Sequence, residues 1–246
     1  MEESEYLMEL KNIYKSFEKV QALIDVNLSI KKGEVMGLIG DNGAGKSTLM
    51  KIVSGAYIPD KGEIYLNGRR VRFANPRQAQ KEGIGIIYQD LALANILSVT
   101  TNVFMGKELR RFFVFLDDKR MKILTEETLK KLKTTIKSIE QPVYELSGGQ
   151  QHSVATARLL VGKPSELIIM DEPTAGLGVV ESEKIINLIL ELKKKFITII
   201  LISHNLEHVF RVSDRITILQ SGSIAGQLEG PKFDKKSVLD MMLGVA

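Results

Sequence analysis

The chain has 246 residues, of which 44% are hydrophobic and 26% are charged. That composition is typical of a packed globular domain and argues against disorder. Lys and Arg number 34 against 30 Asp and Glu, and the formal charge of +4 by itself selects no class of partner. The chain has no Cys, which excludes disulfides, cysteine metal sites and thiol catalysis.

No apolar stretch approaches the roughly 20 residues that a membrane-spanning helix needs. The longest apolar runs are short, such as residues 199–202. If the protein acts at a membrane, we therefore expect another chain to recruit it there.

The first third of the chain is predicted to be mainly strands. Apolar and polar residues alternate between residues 7 and 30, which predicts an antiparallel hairpin region. A helix is predicted from about Lys46 to Gly55, directly after a buried strand that ends in glycine. The turn signal Asn67-Gly68 predicts a second hairpin. The further predicted strands cover residues 35–39, 64–66, 71–73 and 84–88.

From about residue 91 to residue 160, apolar residues recur at helical spacing among many Lys and Glu. We interpret this stretch as a helical subdomain inserted into a single domain over residues 1–246, with one helix over Met121–Ile139. Buried strands at 167–170 and 197–202 flank a helix at about 180–195. Strands that alternate with helices predict an α/β domain with a mostly parallel sheet and an N-terminal antiparallel β layer.

Residues 40–48 fit the phosphate-binding loop pattern between a predicted strand and a predicted helix. Glycines let backbone N–H groups turn toward phosphate oxygens, and the following helix N-terminus favours negative charge. Lys46 can reach the terminal phosphates of ATP, and the Ser47 hydroxyl can ligate Mg²⁺. The residues of this phosphate loop that we predict to bind nucleotide are Gly40, Asn42, Gly43, Gly45, Lys46, Ser47 and Thr48.

Two acidic residues, Asp171 and Glu172, follow the apolar strand at 167–170. Strand ends are where an open α/β sheet places ligand groups. We expect Asp171 to hold the Mg²⁺ shell and Glu172 to polarise the water that attacks the γ-phosphate. A solvated acidic turn is the alternative, and the upstream phosphate loop argues against it.

Residues 146–150 read Leu-Ser-Gly-Gly-Gln and precede a predicted helix at about 150–161. Together with the phosphate loop and the acidic pair downstream, this segment resembles the signature of the ATP-binding cassette (ABC) family. We refer to residues 146–150 as the signature segment. The resemblance covers nearly the whole chain and implies an ATPase with a P-loop NTPase core.

The resemblance also implies roles that spacing alone does not. In this family two cassettes pair head to tail, so Ser147, Gly148 and Gly149 would contact the γ-phosphate of ATP held by the other copy. Gln89 resembles a switch glutamine that senses the γ-phosphate and Mg²⁺, and His204 resembles a switch histidine that contacts the γ-phosphate. The implied catalytic residues are thus Glu172, His204 and Gln89, and the implied metal ligands are Ser47, Gln89 and Asp171.

Further expectations concern single positions and one segment. Phe17 lies where family members have an aromatic that stacks on adenine, with Tyr14 as a competitor and a core role as the alternative for either. Gly178 stands where many cassettes have an Asp in the loop after the catalytic Glu, which puts communication between copies through that Asp in doubt. His152 is predicted to lie on the surface of the helix that follows the signature segment. Residues 110–115 are interpreted as a buried loop or as a contact with a membrane partner.

Several strings resemble the ATPases of monosaccharide importers for ribose, xylose and galactose, in which a Gly at position 178 is usual. These strings cover residues 41–43, 88–93, 102–108 and 175–179. The resemblance implies a homodimer or a pairing with a different cassette, at the cytoplasmic face of the cell membrane. It also implies an integral membrane permease, an indirect link to a sugar-binding protein, and no direct contact with nucleic acid.

The alternative is a soluble cassette ATPase that acts on nucleic acid or the ribosome without a membrane partner. Such proteins commonly carry two cassettes or long coiled-coil insertions, and neither is visible in this sequence. A third interpretation, a nucleotide-gated binding module without turnover, is disfavoured by the acidic pair and His204.

Overall fold

The computed structural model describes residues 5–111, 115–162, 164–230 and 233–244. The strands in these ranges are β1 (Tyr6–Phe17), β2 (Val20–Lys31), β3 (Val35–Ile39), β4 (Lys61–Leu66), β5 (Arg69–Val71), β6 (Ile84–Ile87), β7 (Arg110–Arg111), β8 (Phe115–Leu116), β9 (Leu167–Asp171), β10 (Thr198–Ile202), β11 (Arg215–Gln220) and β12 (Ser223–Glu229). The helices are α1 (Lys46–Val53), α2 (Pro76–Lys81), α3 (Val99–Phe104), α4 (Asp118–Lys131), α5 (Gly148–Leu160), α6 (Val179–Lys194), α7 (Leu206–Val212) and α8 (Lys235–Leu243), with a 3₁₀ turn at Val143–Glu145.

The central sheet has six strands in the order β12-β11-β3-β10-β9-β6. Five of them run parallel, and only β12 is antiparallel to its neighbour β11. Strands β3 and β10 are buried at every position, as expected for parallel strands that are covered on both faces. The predicted α/β class with a mostly parallel sheet is therefore confirmed.

A second sheet of four antiparallel strands, in the order β2-β1-β4-β5, forms the predicted N-terminal layer. Its second hairpin differs from the prediction, because β5 begins at Arg69, which pairs with Leu66 of β4, and ends at Val71. Asn67 and Gly68 both have positive φ, at 50° and 73°, so the turn closes in two residues. Phe73 lies beyond the strand and is buried in the core.

The core divides into two apolar clusters, one on each face of the central sheet. Alternate residues of a strand point to opposite faces, so Val35 and Ile39 enter one cluster while Met36 and Leu38 enter the other. The first cluster is covered by α3, α4, α5 and α6, and the second by α1 and the antiparallel layer. Burial on both faces holds the strand ends rigidly, which matters for the site that they carry.

Helices α3, α4 and α5 lie between β6 and β9, in the stretch that we interpreted as a helical subdomain. The predicted helix over Met121–Ile139 is too long, because α4 ends at Lys131. Lys133 has a left-handed backbone with φ of 55°, which ends the helix. The next residue, Thr134, is β-branched and bonds through its hydroxyl to Ser153 on α5 at 2.8 Å.

Residues 112–114 of the predicted buried loop at 110–115 lie outside the described ranges. The flanking residues Arg110, Arg111 and Phe115 are exposed, so the buried-loop interpretation is wrong for them. The two flanking strands, β7 and β8, pair with each other in a short antiparallel ladder.

Candidate nucleotide site

Four adjacent parallel strands deliver the predicted site residues to one edge of the central sheet. The phosphate loop follows β3, His204 follows β10, the acidic pair stands at the end of β9, and Gln89 follows β6. The strands are in register at this edge, with Ile202 opposite Asp171 and Ile87 opposite Met170. The carboxyl ends of neighbouring parallel strands form the usual ligand crevice of such sheets.

The phosphate loop is a tight turn that needs glycine at fixed positions. Gly40, Gly43 and Gly45 have φ of 151°, 83° and 105°, in the region that favours glycine. A Cβ added to Gly45 would lie 2.6 Å from the Ala22 carbonyl oxygen, so the loop also packs closely against β2. Helix α1 begins at the next residue and points its N-terminus at the loop.

The Lys46 side chain is folded back onto the phosphate loop. Its Nζ donates to the carbonyl oxygens of Gly40 at 2.6 Å and Asp41 at 2.9 Å, and the residue is only 7% exposed. Burial lowers the pKa of this ammonium, while the nearby charges of Glu172 and Asp171 act in the opposite direction. The loop thus holds a buried cation close to the two acids.

The predicted metal ligands stand at the rim of this crevice. Asp171 is half-buried, and burial raises the pKa of its carboxyl while Lys46 and Lys51 oppose that rise. Ser47 and Gln89 are exposed. Within the described ranges no group of three or more His, Cys, Asp or Glu side chains could hold a metal ion. One carboxylate with a hydroxyl and an amide fits Mg²⁺, which is usually held by few protein ligands together with substrate phosphates.

Glu172 has an unusual backbone and an unsatisfied carboxylate. Its φ is 49°, rare for a residue other than glycine, and its N–H donates to the Ile202 carbonyl at 2.9 Å. Oε2 accepts from the His204 N–H at 3.3 Å. Oε1 lies 3.2 Å from His204 Nε2 without hydrogen-bond geometry, so this buried oxygen has no hydrogen-bond partner among the described residues. Burial raises the pKa of Glu172, and the nearby His204 opposes the rise.

The signature segment begins α5 on a different part of the molecule. The Gln150 Oε1 accepts from the Ser147 N–H at 2.9 Å, which holds the first turn of the helix. Ser147 and Gln150 have the arrangement of a capping box, and no acceptor for the buried Ser147 hydroxyl lies in the described part of the chain. Gly148 packs against Leu177, because a Cβ added to Gly148 would lie 2.8 Å from the Leu177 side chain. Among the described residues, no hydrogen bond joins the signature segment to the phosphate loop.

His152 is buried at 7% exposure, so its predicted place on the helix surface is wrong. Its Nδ1 lies 3.1 Å from the Gly148 carbonyl oxygen, and its Nε2 is buried without a partner among the described residues. Burial lowers the pKa of the imidazole, which keeps it neutral. The inward face of α5 is set by packing against neighbouring helices, which a single sequence does not display.

Phe17 ends β1 and is 39% exposed, whereas Tyr14 is half-buried with Lys61 Nζ 5.8 Å from its ring centroid. Phe17 pairs across the hairpin with Val20, at the start of the strand that packs on the phosphate loop. Sequence reasoning missed that Tyr57, from the loop after α1, contacts the Phe17 ring. The turn signal Pro59-Asp60 marks that loop but does not reveal what it contacts.

A polar network joins the segment after Gln89 to the end of α5. The fully buried Asn102 accepts from the Ala94 N–H at 2.8 Å and donates to three carbonyl oxygens. Arg158 donates to the Asn102 carbonyl at 2.8 Å. Lys107 donates to the carbonyl oxygens of Arg158 and Val161, and burial lowers its pKa to about 8. Sequence reasoning also missed this network, because nothing local marks its members.

Comparisons with known proteins agree with the geometry. A family model described as "ABC transporter" matches residues 23–175. The xylose/arabinose import ATP-binding protein XylG of Sulfolobus acidocaldarius is 40% identical over 98% of this chain and 95% of its own length. The fructose import ATP-binding protein FrcA of Rhizobium meliloti is 42% identical over 89% of this chain and 86% of its own length.

Solved cassettes share the fold. A nucleotide-free ATP-binding cassette from an ABC transporter superposes with a TM-score of 0.82 at 30% identity, over 96% of this chain and 95% of that one. A dimeric cassette in a post-hydrolysis state, bound to ADP and Pi, gives a TM-score of 0.74 at 27% identity, over 92% of this chain and all of that one.

No helix in the described ranges is long and apolar enough to cross a membrane. The family match covers more than half of the chain, and it agrees with the relatives and with the sheet-edge geometry. The chain therefore belongs to the ABC transporter family, as one of its ATP-binding cassettes.

Proposed function

We propose that this chain binds and hydrolyses ATP with Mg²⁺ to drive the import of a monosaccharide through a separate permease. The relatives are named as import proteins for xylose or arabinose and for fructose, which supports a sugar as the transported solute. Selectivity for the sugar would lie in the permease and the sugar-binding protein, and not in this chain.

The observation that carries the hydrolytic role is the Glu172 carboxylate. One oxygen accepts from the His204 N–H, and the other is buried 3.2 Å from His204 Nε2 and has no hydrogen-bond partner among the described residues. A buried acceptor without a donor costs free energy unless a ligand supplies the donor. A water molecule between Oε1 and the γ-phosphate would fill that position, and Glu172 would draw its proton away during attack.

The remaining residues orient the triphosphate around this water. Backbone N–H groups of the phosphate loop and the Lys46 ammonium would hold the β- and γ-phosphates. Ser47, Asp171 and Gln89 would hold Mg²⁺, which neutralises charge that develops on the phosphate oxygens. His204 would contact the γ-phosphate from the end of β10 while its N–H keeps Glu172 in place.

A second cassette would complete the site. The unpaired Ser147 hydroxyl and the N-terminus of α5 offer donors to a γ-phosphate that they do not reach within one chain. The dimeric cassette with ADP and Pi supports such pairing. We propose that the partner is an identical or a related cassette, and that the pair docks on permease subunits at the cytoplasmic face of the cell membrane. A sugar-binding protein would act on the other side of that membrane.

Substitution of Glu172 tests the hydrolytic role. Glu172→Gln removes the base but keeps the size of the side chain, so we expect steady-state ATPase turnover to fall by roughly 10²- to 10⁴-fold. Binding of MgATP should be retained. The control is Glu207→Gln, an exposed acid in the first turn of α7, which should leave turnover unchanged. Near-normal turnover in Glu172→Gln would contradict the proposed role.

A further inference from the structure

The loop between α1 and β4, residues 54–60, is bonded at both of its ends. The Tyr57 N–H donates to the Lys51 carbonyl of α1 at 2.9 Å, and the Asp60 N–H donates to the Tyr14 carbonyl of β1 at 2.8 Å. Helix α1 starts at the phosphate loop, and β1 ends at Phe17. The loop therefore joins the C-terminal end of α1 to the end of β1 that carries Phe17.

The Asp60 carboxylate holds the two residues that directly precede Phe17. Oδ1 accepts from Lys15 Nζ at 2.7 Å, and Oδ2 accepts from the Ser16 N–H at 2.7 Å. Both bonds favour the ionised carboxylate and keep the pKa of Asp60 below its usual value. An exposed ion pair contributes little by itself, but a carboxylate that also binds a backbone N–H fixes the course of the chain.

The Phe17 ring is oriented by two side chains from this arrangement. Tyr57 meets it edge-on, with 5.2 Å between ring centroids and 62° between ring planes. Lys15 Nζ lies 5.4 Å from the Phe17 centroid, within the range of a cation–π contact. The ring keeps 39% of its surface exposed, so it is positioned yet still accessible to a ligand.

We propose that Asp60 is a positioning residue that orients Phe17 for stacking on the nucleobase, and so sets affinity for the base rather than for the triphosphate. This inference rests on the proposed nucleotide-binding function. A ring held in its bound orientation loses less conformational freedom when the ligand arrives, which strengthens binding without any new contact. The exposed Asp60 carboxylate binds Lys15 and the Ser16 N–H, so we assign it no part in the chemical step.

Two ligands separate this role from a general structural one. MgATP presents a base and a triphosphate, whereas magnesium tripolyphosphate presents only the phosphates. Dissociation constants for both would be measured by titration calorimetry for the unmodified chain and for Asp60→Ala, Asp60→Asn, Phe17→Ala and the double variant Asp60→Ala/Phe17→Ala. Glu82→Gln is the matched control, since Glu82 forms an exposed ion pair with Arg69 and has nearly the same side-chain exposure as Asp60, 40% against 43%.

We expect Phe17→Ala to weaken MgATP binding about tenfold or more, the scale of one base–aromatic stack. Asp60→Ala should weaken it by about fivefold, a part of that loss. Asp60→Asn keeps an acceptor for the Ser16 N–H and should lose less. The double variant should resemble Phe17→Ala alone, because Asp60 acts through the ring. No substitution should weaken tripolyphosphate binding, and Glu82→Gln should change neither ligand.

Several results would overturn the inference. Unchanged MgATP affinity in Asp60→Ala, equal weakening of both ligands, or losses that multiply in the double variant would each show that Asp60 does not act through Phe17. Melting temperatures of all variants exclude misfolding as the cause of a loss. If the unmodified chain bound neither ligand, the proposed nucleotide-binding function itself would fail, which is a distinct outcome.

Discussion

His152 illustrates how one buried side chain makes the fold sensitive to pH. Its Nδ1 faces the Gly148 carbonyl, which must accept, so the proton is on Nδ1 and Nε2 is a buried acceptor without a donor among the described residues. Burial lowers the pKa of the folded-state imidazole below the value of about 6.5 that the unfolded chain has. At mildly acidic pH, His152 therefore binds a proton in the unfolded state but not in the folded state.

We predict that His152→Leu reduces the acid sensitivity of the protein. Below pH about 6.5 the unfolded chain gains a proton at this position. The free energy of unfolding of the unmodified protein therefore decreases as the pH is lowered, until the folded-state pKa of His152 is reached. The melting temperature measured between pH 7.5 and 5 should therefore drop less in His152→Leu. Thr156→Val, a buried non-titrating change on the same helix, is the control and should keep the full drop. Equal drops in all three proteins would contradict this explanation.

At the residue scale, the sequence predicts the phosphate loop well because its geometry is local. Each glycine of the pattern stands where the backbone has a positive φ, and all of these positions lie within a few residues of one another. The sequence pattern therefore predicts the backbone conformation of the loop. Glu172 is predicted by its place after an apolar strand, but its strained φ and unpaired Oε1 depend on β10 and His204. The environments of His152 and Asp60 depend on residues distant in the chain, so a single sequence does not reveal them.

At the element scale, one buried ion pair joins three strands. Arg215 on β11 lies 2.6 Å from the Glu34 carboxylate just before β3, and both side chains are 7% exposed. Arg215 also donates to the Ser29 carbonyl of β2, and Glu34 accepts from the Lys31 N–H at 2.7 Å. The pair therefore fixes the antiparallel layer against the central sheet, at the edge opposite the nucleotide site.

We predict that Glu34→Ala destabilises the protein by about 3–5 kcal/mol, because it leaves the Arg215 guanidinium buried without its charge partner. The free energy of unfolding would be measured by urea denaturation. Glu183→Ala is the matched control, since Glu183 pairs with Arg211 at the same 2.6 Å but on the surface. We expect that control to have little effect. Comparable losses in both variants would show that burial of the Glu34 pair is not what matters.

At this scale, helices and strands are predicted correctly where the local sequence pattern marks their ends. Strands β3 and β9 are predicted within one residue of their ends, because uninterrupted apolar runs bounded by turn residues mark buried parallel strands. The end of α4 is missed, because the left-handed Lys133 lies inside a sequence of ordinary helix formers. No element beyond residue 204 is predicted, and α8 there is a short helix with only Val238 fully buried.

At the scale of the whole molecule, the two proposed parts of the nucleotide site do not meet within one chain. The phosphate loop, acidic pair and His204 share the edge of the central sheet, while the signature segment packs against Leu177 and Lys184. The proposed nucleotide binding and water activation use residues of one chain, in which the Ser147 hydroxyl has no acceptor among the described residues. The order of motifs predicts both parts of the site, and we propose that a second cassette brings them together.

The most direct test is whether MgATP brings two copies together. Glu172→Gln, which should bind ATP without consuming it, would be studied by sedimentation at high protein concentration with MgATP, with MgADP and without nucleotide. We predict a dimer with MgATP alone, and its loss when Ser147→Arg places a bulky cation in the signature segment. A Glu172→Gln protein that binds MgATP yet remains a monomer, even with its permease present, would contradict the account.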